Sequence, residues 1–261
     1  QVGGELRNRI VRLTVTGNQA GDEFVLLDNS PGGSIHDGGR LLIGPGNVLY
    51  ATTGEAGQRD LAQDRSSLAG KVLRINLDGS IPSDNPFPGS LVYTYGHRNP
   101  EGIDWYRDGG QIFVSEHGPT GEMGLCCRDE INRLVPGGNY GWPIVTGAPS
   151  DKRFVDPILF SGVEVTWAPA GLAIYQDGLL VPWQDNLFFA TLRGMHLHRV
   201  VLSADRTRVI AEERLFEGQY GRLRAVLVGP DGYLYFTTSN RDGRGNPSQE
   251  DDRILRVVPA S

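Results

Sequence analysis

Hydrophobic positions along this chain fall in short runs separated by glycine, proline and polar residues, and one kind of run recurs. An arginine flanked by aliphatic residues stands in Ile10-Val11-Arg12-Leu13, Val72-Leu73-Arg74-Ile75, Ile131-Asn132-Arg133-Leu134, Leu197-His198-Arg199-Val200 and Ile254-Leu255-Arg256-Val257. The step is roughly 60 residues, longer than the common propeller repeats but of the same kind. Between these runs lie turn-plus-strand units: Gly44-Pro45-Gly46-Asn47-Val48-Leu49-Tyr50, Arg107-Asp108-Gly109-Gly110-Gln111-Ile112-Phe113 and Gly229-Pro230-Asp231-Gly232-Tyr233-Leu234-Tyr235. A weaker copy is Tyr175-Gln176-Asp177-Gly178-Leu179-Leu180-Val181. Asp-Gly and Gly-Asn pairs tolerate the positive φ of tight hairpins, and the flanking residues are β-branched or aromatic. No stretch sustains a helical period; the best candidate, Ser66 to Ala69, is closed within a few residues by glycine.

The pattern predicts an all-β chain. Evenly spaced four-stranded antiparallel units with no helical layer predict a β-propeller, whose radial closure hides its sheet edges; a β-sandwich would show shorter, less periodic spacing. The repeats amount to a little over four blades in a single propeller domain over residues 1–261.

Composition narrows the partners. The chain has 261 residues, 36 glycines, 16 prolines and 39% hydrophobic content, enough for a core, and no apolar run long enough to cross a bilayer, so a soluble protein is expected. A net charge of −6 and a pI near 5.4, with arginines scattered among carboxylates, offer no basic field for nucleic acid. The chain opens on Gln1, so we expect processing or truncation to have removed whatever came first. The only cysteines, Cys126 and Cys127, are adjacent. They exclude a disulfide framework and cannot alone make a four-ligand zinc site, and either two thiols in a surface insertion or a vicinal disulfide satisfies them.

The candidate chemistry begins at His36, in Ser34-Ile35-His36-Asp37-Gly38-Gly39-Arg40, where a glycine-rich loop precedes an apolar strand and could present an imidazole to a substrate. Further along come Gly96-His97-Arg98-Asn99-Pro100, Ser115-Glu116-His117-Gly118-Pro119, and Asp129-Glu130-Ile131-Asn132 followed by Gly137-Gly138-Asn139-Tyr140-Gly141-Trp142-Pro143. In this order the runs resemble the soluble pyrroloquinoline-quinone (PQQ) sugar dehydrogenases, the family of soluble glucose dehydrogenase and aldose sugar dehydrogenase. The family's propeller has six blades; the likeness starts just before His36 and implies that this sequence lacks the first third or so of the family pattern.

Hydride removal from a sugar C1 alcohol needs a base for the hydroxyl proton, a hydride acceptor and positive charge beside it. No side chain accepts a hydride, and the sequence has no Gly-x-Gly-x-x-Gly turn between a strand and a helix for a nicotinamide. The resemblance implies PQQ and calcium instead. It makes His36 the general base, Glu55 its carboxylate partner in place of the glucose enzymes' aspartate, and Arg98 and Asn99 contacts of the quinone. Gly118 and Pro119 would offer carbonyls to the calcium that chelates PQQ, with His117 replacing a family glutamine beside the cofactor. Glu130, by side chain, and Tyr140, by carbonyl, would hold a second calcium. Thr166, Arg193 (a lysine in the family), Arg222 and Arg224 would complete the cofactor site, and residue alternation puts the last two on one face, where guanidiniums could clamp carboxylates.

The implied activity is oxidation of an aldose C1 hydroxyl to a lactone, with electrons passed to an external acceptor, by a periplasmic or secreted monomer or homodimer. The competing readings are a non-catalytic propeller that binds a protein or glycan, and a calcium-dependent lactonase-like hydrolase, which would need convergent Asp, Asn and Glu side chains on its metal.

Overall fold

The computed structural model describes residues 3–259. A long two-stranded ribbon, β1 (Arg7–Thr16) and β2 (Gln19–Pro31), precedes four antiparallel meanders. The first holds β3 (Leu41–Gly44), β4 (Val48–Thr53), β5 (Lys71–Ile75) and β6 (Val92–Tyr95); the second, β7 (Pro100–Trp105), β8 (Ile112–Glu116), β9 (Glu130–Arg133) and β10 (Leu159–Phe160). The third holds β11 (Pro169–Tyr175), β12 (Asn186–Thr191), β13 (Leu197–Leu202) and β14 (Val209–Leu215), and the last, three-stranded, β15 (Leu223–Val228), β16 (Leu234–Thr238) and β17 (Ile254–Val257). Helical structure among the described residues is confined to short 3-10 turns. This is the blade plan the repeats predict: the arginine-bearing runs form β5, β9, β13 and β17, each the third strand of its meander.

Two local expectations differ. The earliest arginine run lies in β1 and belongs to the ribbon. The weaker turn-plus-strand copy after Tyr175 does not start a strand: Val181–Trp183 is a 3-10 turn and pairing resumes at Asn186 in β12. The reason is local, because the Tyr175 hydroxyl binds the Leu180 N–H (2.8 Å) and the Gly232 carbonyl (2.5 Å), folding the segment back on its own strand end.

By internal contacts the described chain divides into two compact units. One runs through Asn99 and includes Val135–Val145 and Lys152–Val155; the other takes Pro100–Leu134, Thr146–Asp151 and the chain from Asp156 onward. In the first, Leu27, Leu49, Leu73, Ile75 and Val92 form the core. The buried Lys71 there directs its ammonium to the carbonyls of Leu61 (2.8 Å), Ala62 (3.1 Å) and Ala69 (2.5 Å), gathering that loop around one donor group. Burial pushes its pKa down to about 7.

In the second unit Phe113, Ile131, Trp167, Leu187, Phe189 and Val200 share one core and Tyr175, Phe188, Leu223, Leu234 and Phe236 another. Burying each large side chain contributes roughly 1.5–3 kcal/mol. First strands of successive meanders touch backbone to backbone: a Cβ on Gly102 would meet the Ala170 carbonyl at 2.5 Å, and one on Gly171 would meet the Ala225 Cα at 3.0 Å. Ser115 Oγ donates to Ala170 O (2.5 Å) and the Ile174 N–H to Asp104 (2.8 Å), so these contacts are hydrogen-bonded as well as close.

Candidate active site

Within the first unit, the loop bearing His36 lies directly on the end of β4. The His36 carbonyl accepts the Ala56 N–H (2.9 Å), and a Cβ on Gly54 would collide with that oxygen, so only glycine allows the approach. His36 itself has φ 57°, in the left-handed region, and is followed by Gly38 at φ 64°. The Gly38 N–H donates to Asn99 Oδ1 (3.0 Å) and the Glu55 N–H to the Arg98 carbonyl (2.9 Å). Four predicted residues, His36, Glu55, Arg98 and Asn99, are thereby brought together. His36 Nδ1 contacts Glu55 Oε1, and the carboxylate is 2% exposed. An ionised carboxylate only accepts, so Nδ1 carries the ring proton and Nε2 is left with its lone pair.

Arg98 is buried, its guanidinium 5.5 Å from the Trp142 ring. Trp142 is held by its N–H to the Gly96 carbonyl (2.9 Å) and by Gln63 Nε2 on its own carbonyl (2.6 Å). Gln63 also exchanges hydrogen bonds with the Asn139 side chain (3.0 and 2.9 Å). Tyr140, beside them, stacks on His97 at 4.5 Å, and its hydroxyl accepts the Val135 N–H (2.9 Å).

In the second unit Gly118 is packed so closely that a Cβ would collide with the Cys127 carbonyl. Its N–H donates to Asp129 Oδ1 (2.8 Å), and the Pro119 carbonyl accepts the Cys127 N–H (2.8 Å). Cys126 and Cys127 are joined by a disulfide. Glu130, at the start of β9, accepts from the Gly147 N–H (2.8 Å) and Asn132 Nδ2 (3.1 Å), while burial and then the neighbouring Glu116 push its carboxyl up. Among the described residues no group of three or more His, Cys, Asp or Glu side chains could hold a metal ion.

Arg222 and Arg224 do share a face, and they converge on Asp242. Arg222 donates to its Oδ2 from Nε (3.0 Å) and Nη2 (2.8 Å), and Arg224 Nη2 lies 3.6 Å from the same oxygen. Glu101 Oε2 is 3.7 Å from Arg224 Nη1, and its Oε1 is 3.8 Å from His117 Nε2. Burial, the largest single influence, pushes Asp242 up; hydrogen bonds from Arg222 and the Arg244 N–H and the charges of both arginines outweigh it and hold the carboxyl below its usual range. Thr166 Oγ1 donates to Asp129 Oδ2 (2.8 Å), and Arg193 is exposed on a turn whose N–H groups at Arg193 and Gly194 both donate to the Trp167 carbonyl (3.0 and 2.9 Å).

Comparison with known proteins places the chain in a family. A family model described as Glucose / Sorbosone dehydrogenase matches residues 1–255. The chain belongs to that family. The aldose sugar dehydrogenase of Escherichia coli K12 is 34% identical over 86% of this chain and 60% of its own length, and quinoprotein glucose dehydrogenase B of Acinetobacter calcoaceticus is 39% identical over 97% of this chain and 70% of its own. The chain thus spans about three fifths of the Escherichia coli relative. The PQQ-bound aldose sugar dehydrogenase structure from Streptomyces coelicolor superimposes with a TM-score of 0.83 at 41% identity, covering 96% of this chain and 71% of that one. The structure of a Thermus thermophilus protein described as a glucose dehydrogenase gives 0.86 at 45% identity, covering 98% and 76%.

Asp242, Asp129, Gln63 and Trp142 are functional candidates that the sequence reading of this family member missed. Trp142 stands in the Gly137–Pro143 run, but nothing in its spacing says that an arginine lies over it. Asp242, in Asn240-Arg241-Asp242-Gly243, reads as an ordinary turn, and its pairing with Arg222 spans 20 residues.

Proposed function

We propose that this chain carries the active-site chemistry of a PQQ- and calcium-dependent aldose dehydrogenase, which oxidises the C1 hydroxyl of a sugar to a lactone and passes the electrons to an external acceptor. The observation that carries this reading is the buried Glu55 carboxylate fixing the His36 tautomer, with Arg98 and Asn99 in the same group of loops. Family membership and the quinoprotein relatives support it.

The donor set fits the cofactor. A tricarboxylate quinone calls for guanidiniums and neutral donors, which Arg222, Arg224, Arg193 and Thr166 of the second unit would supply, and the Gly118 and Pro119 carbonyls of the same unit suit a hard cation that readily accepts neutral oxygens. Bound there, PQQ would supply the hydride acceptor the protein itself lacks. Glu130 would serve a second, structural calcium, and His117 would lie beside the cofactor.

The protein's own part is acid-base and electrostatic. His36 Nε2 takes the C1 hydroxyl proton, and the Glu55 carboxylate stabilises the imidazolium so formed. The Arg98 guanidinium, 5.5 Å from the Trp142 ring, stabilises negative charge beside it. A periplasmic or secreted location, where calcium is plentiful, accords with this chemistry.

The test is dye reduction by the purified chain with PQQ, calcium and a panel of aldoses. Parent turnover, with His36→Ala losing it while PQQ binding stays within a few-fold, is the expected result; equal rates in parent and variant would remove His36 from the mechanism. A chain that binds a glycan without turnover under any of these conditions would favour a recognition module.

A further inference from the structure

We infer that Asp129 is a positioning residue, a single buried carboxylate that sets the register of the loops to which the proposed function, on which this inference rests, assigns the cofactor. Asp129 is 1% exposed and both its oxygens are engaged. Oδ1 accepts the Gly118 N–H at 2.8 Å, and Oδ2 accepts Thr166 Oγ1 at 2.8 Å, the Trp167 N–H at 2.6 Å and the Ala168 N–H at 3.0 Å. A carboxylate with four donors ties the Gly118 loop, 11 residues before it, to the Thr166–Ala168 turn, which begins 37 residues after it.

The tie continues outward through main-chain groups. Trp167 O accepts the Arg193 and Gly194 N–H groups, Ala168 O accepts the Leu192 N–H (2.9 Å), and the Leu192 carbonyl accepts Arg222 Nη1 (3.3 Å). Each hydrogen bond fixes a peptide plane, and a peptide plane fixes the carbonyl or side chain it carries. One carboxylate therefore stands at the root of Gly118, Thr166, Arg193 and Arg222. Ala168, with φ 46°, adopts a conformation that L residues seldom take, which the Asp129 and Leu192 hydrogen bonds on its two sides hold in place. The backbone of Asp129 is anchored independently, its N–H on Ser161 Oγ (3.0 Å) and its carbonyl on the Ser161 N–H (2.9 Å).

The two oxygens make the idea separable by experiment. In Asp129→Asn the amide oxygen is drawn to the side with three donors, and the NH2 then confronts the Gly118 N–H. Backbone amide exchange on the apo chain should show Gly118 exchanging about ten- to a hundredfold faster, as loss of a charge-assisted bond implies, while Trp167 and Ala168 keep their protection. Asp129→Ala should release all three. With PQQ and calcium chloride, Asp129→Asn should raise the calcium needed for half-maximal PQQ binding about tenfold, with kcat at saturation changing less than the binding constant. Unchanged exchange at all three amides in both variants would overturn the inference, as would parental PQQ affinity in Asp129→Ala. If the parent chain itself bound no PQQ, the proposed function would fall, and the exchange pattern would still decide whether Asp129 tethers these loops.

Discussion

Glu55→Gln separates the charge of the carboxylate from its geometry. Glu55 Oε1 meets both His36 Nδ1 and the Gly57 N–H (3.1 Å), and a glutamine oxygen can accept both. What the substitution removes is stabilisation of the imidazolium formed when Nε2 takes a proton. With charge centres about 4–5 Å apart and an effective dielectric near 20, the pair interaction is roughly 3–4 kcal/mol. At about 1.36 kcal/mol per tenfold, that is a rate loss of about 10²–10³. The His36 side chain is 15% exposed, so water discounts the figure toward the lower end. The assay is kcat for dye reduction by the PQQ- and calcium-loaded chain, with PQQ affinity and melting temperature measured alongside. A kcat within about threefold of the parent, at unchanged PQQ affinity, would refute the view that Glu55 works through its charge.

Gly54→Ala should lower the urea midpoint by the equivalent of about 1–3 kcal/mol at constant slope. Its Cβ would collide with the His36 carbonyl and meet Asn99 Oδ1 at 2.9 Å, and each of those oxygens is already fixed by an N–H; an unchanged midpoint would mean that the His36 loop is not seated on the strand end. Acid should destabilise the fold through two buried histidines. His198 stacks on Phe189 at 4.6 Å, and burial, followed by His196 and Arg214, pushes its pKa down to about 3, with Glu212 at 3.0 Å half-exposed and too solvated to offset this. His196 is also lowered, chiefly by burial. Because the unfolded histidines titrate near 6.5, the unfolded chain holds more protons between about pH 3 and 6.5, and stability should fall as pH drops through that window. His198→Phe should flatten the slope between about pH 5 and 6.5, before most carboxylates protonate; an undiminished slope would assign it elsewhere.

The blade plan was legible because it is written in short-range chemistry. A strand flanked by turn residues declares itself, and Arg74, Arg133, Arg199 and Arg256 mark the same strand of successive meanders. The reading slipped after Tyr175, where a side-chain hydroxyl captures the segment and delays the next strand; nothing in the Asp-Gly signal distinguishes a hairpin turn from one taken over by a tertiary hydrogen bond. At the candidate site His36 and Arg98 stand in short glycine-bearing runs that draw attention by themselves, whereas Arg222 and Arg224 are singled out by the resemblance and by alternation along an extended segment. The residues that hold them are different in kind. Asp129, Asp242, Gln63 and Gly54 act through partners 11 to 79 residues away or through the space a missing Cβ leaves, and each by itself resembles an ordinary turn residue. For Asp129 the role follows from burial: a carboxylate withdrawn from water must find donors, and it finds them in the main-chain N–H groups of Gly118, Trp167 and Ala168. The same desolvation that makes Asp129 costly to bury also makes the placement of those loops specific, and so the supporting residues are best sought among buried polar side chains with distant partners.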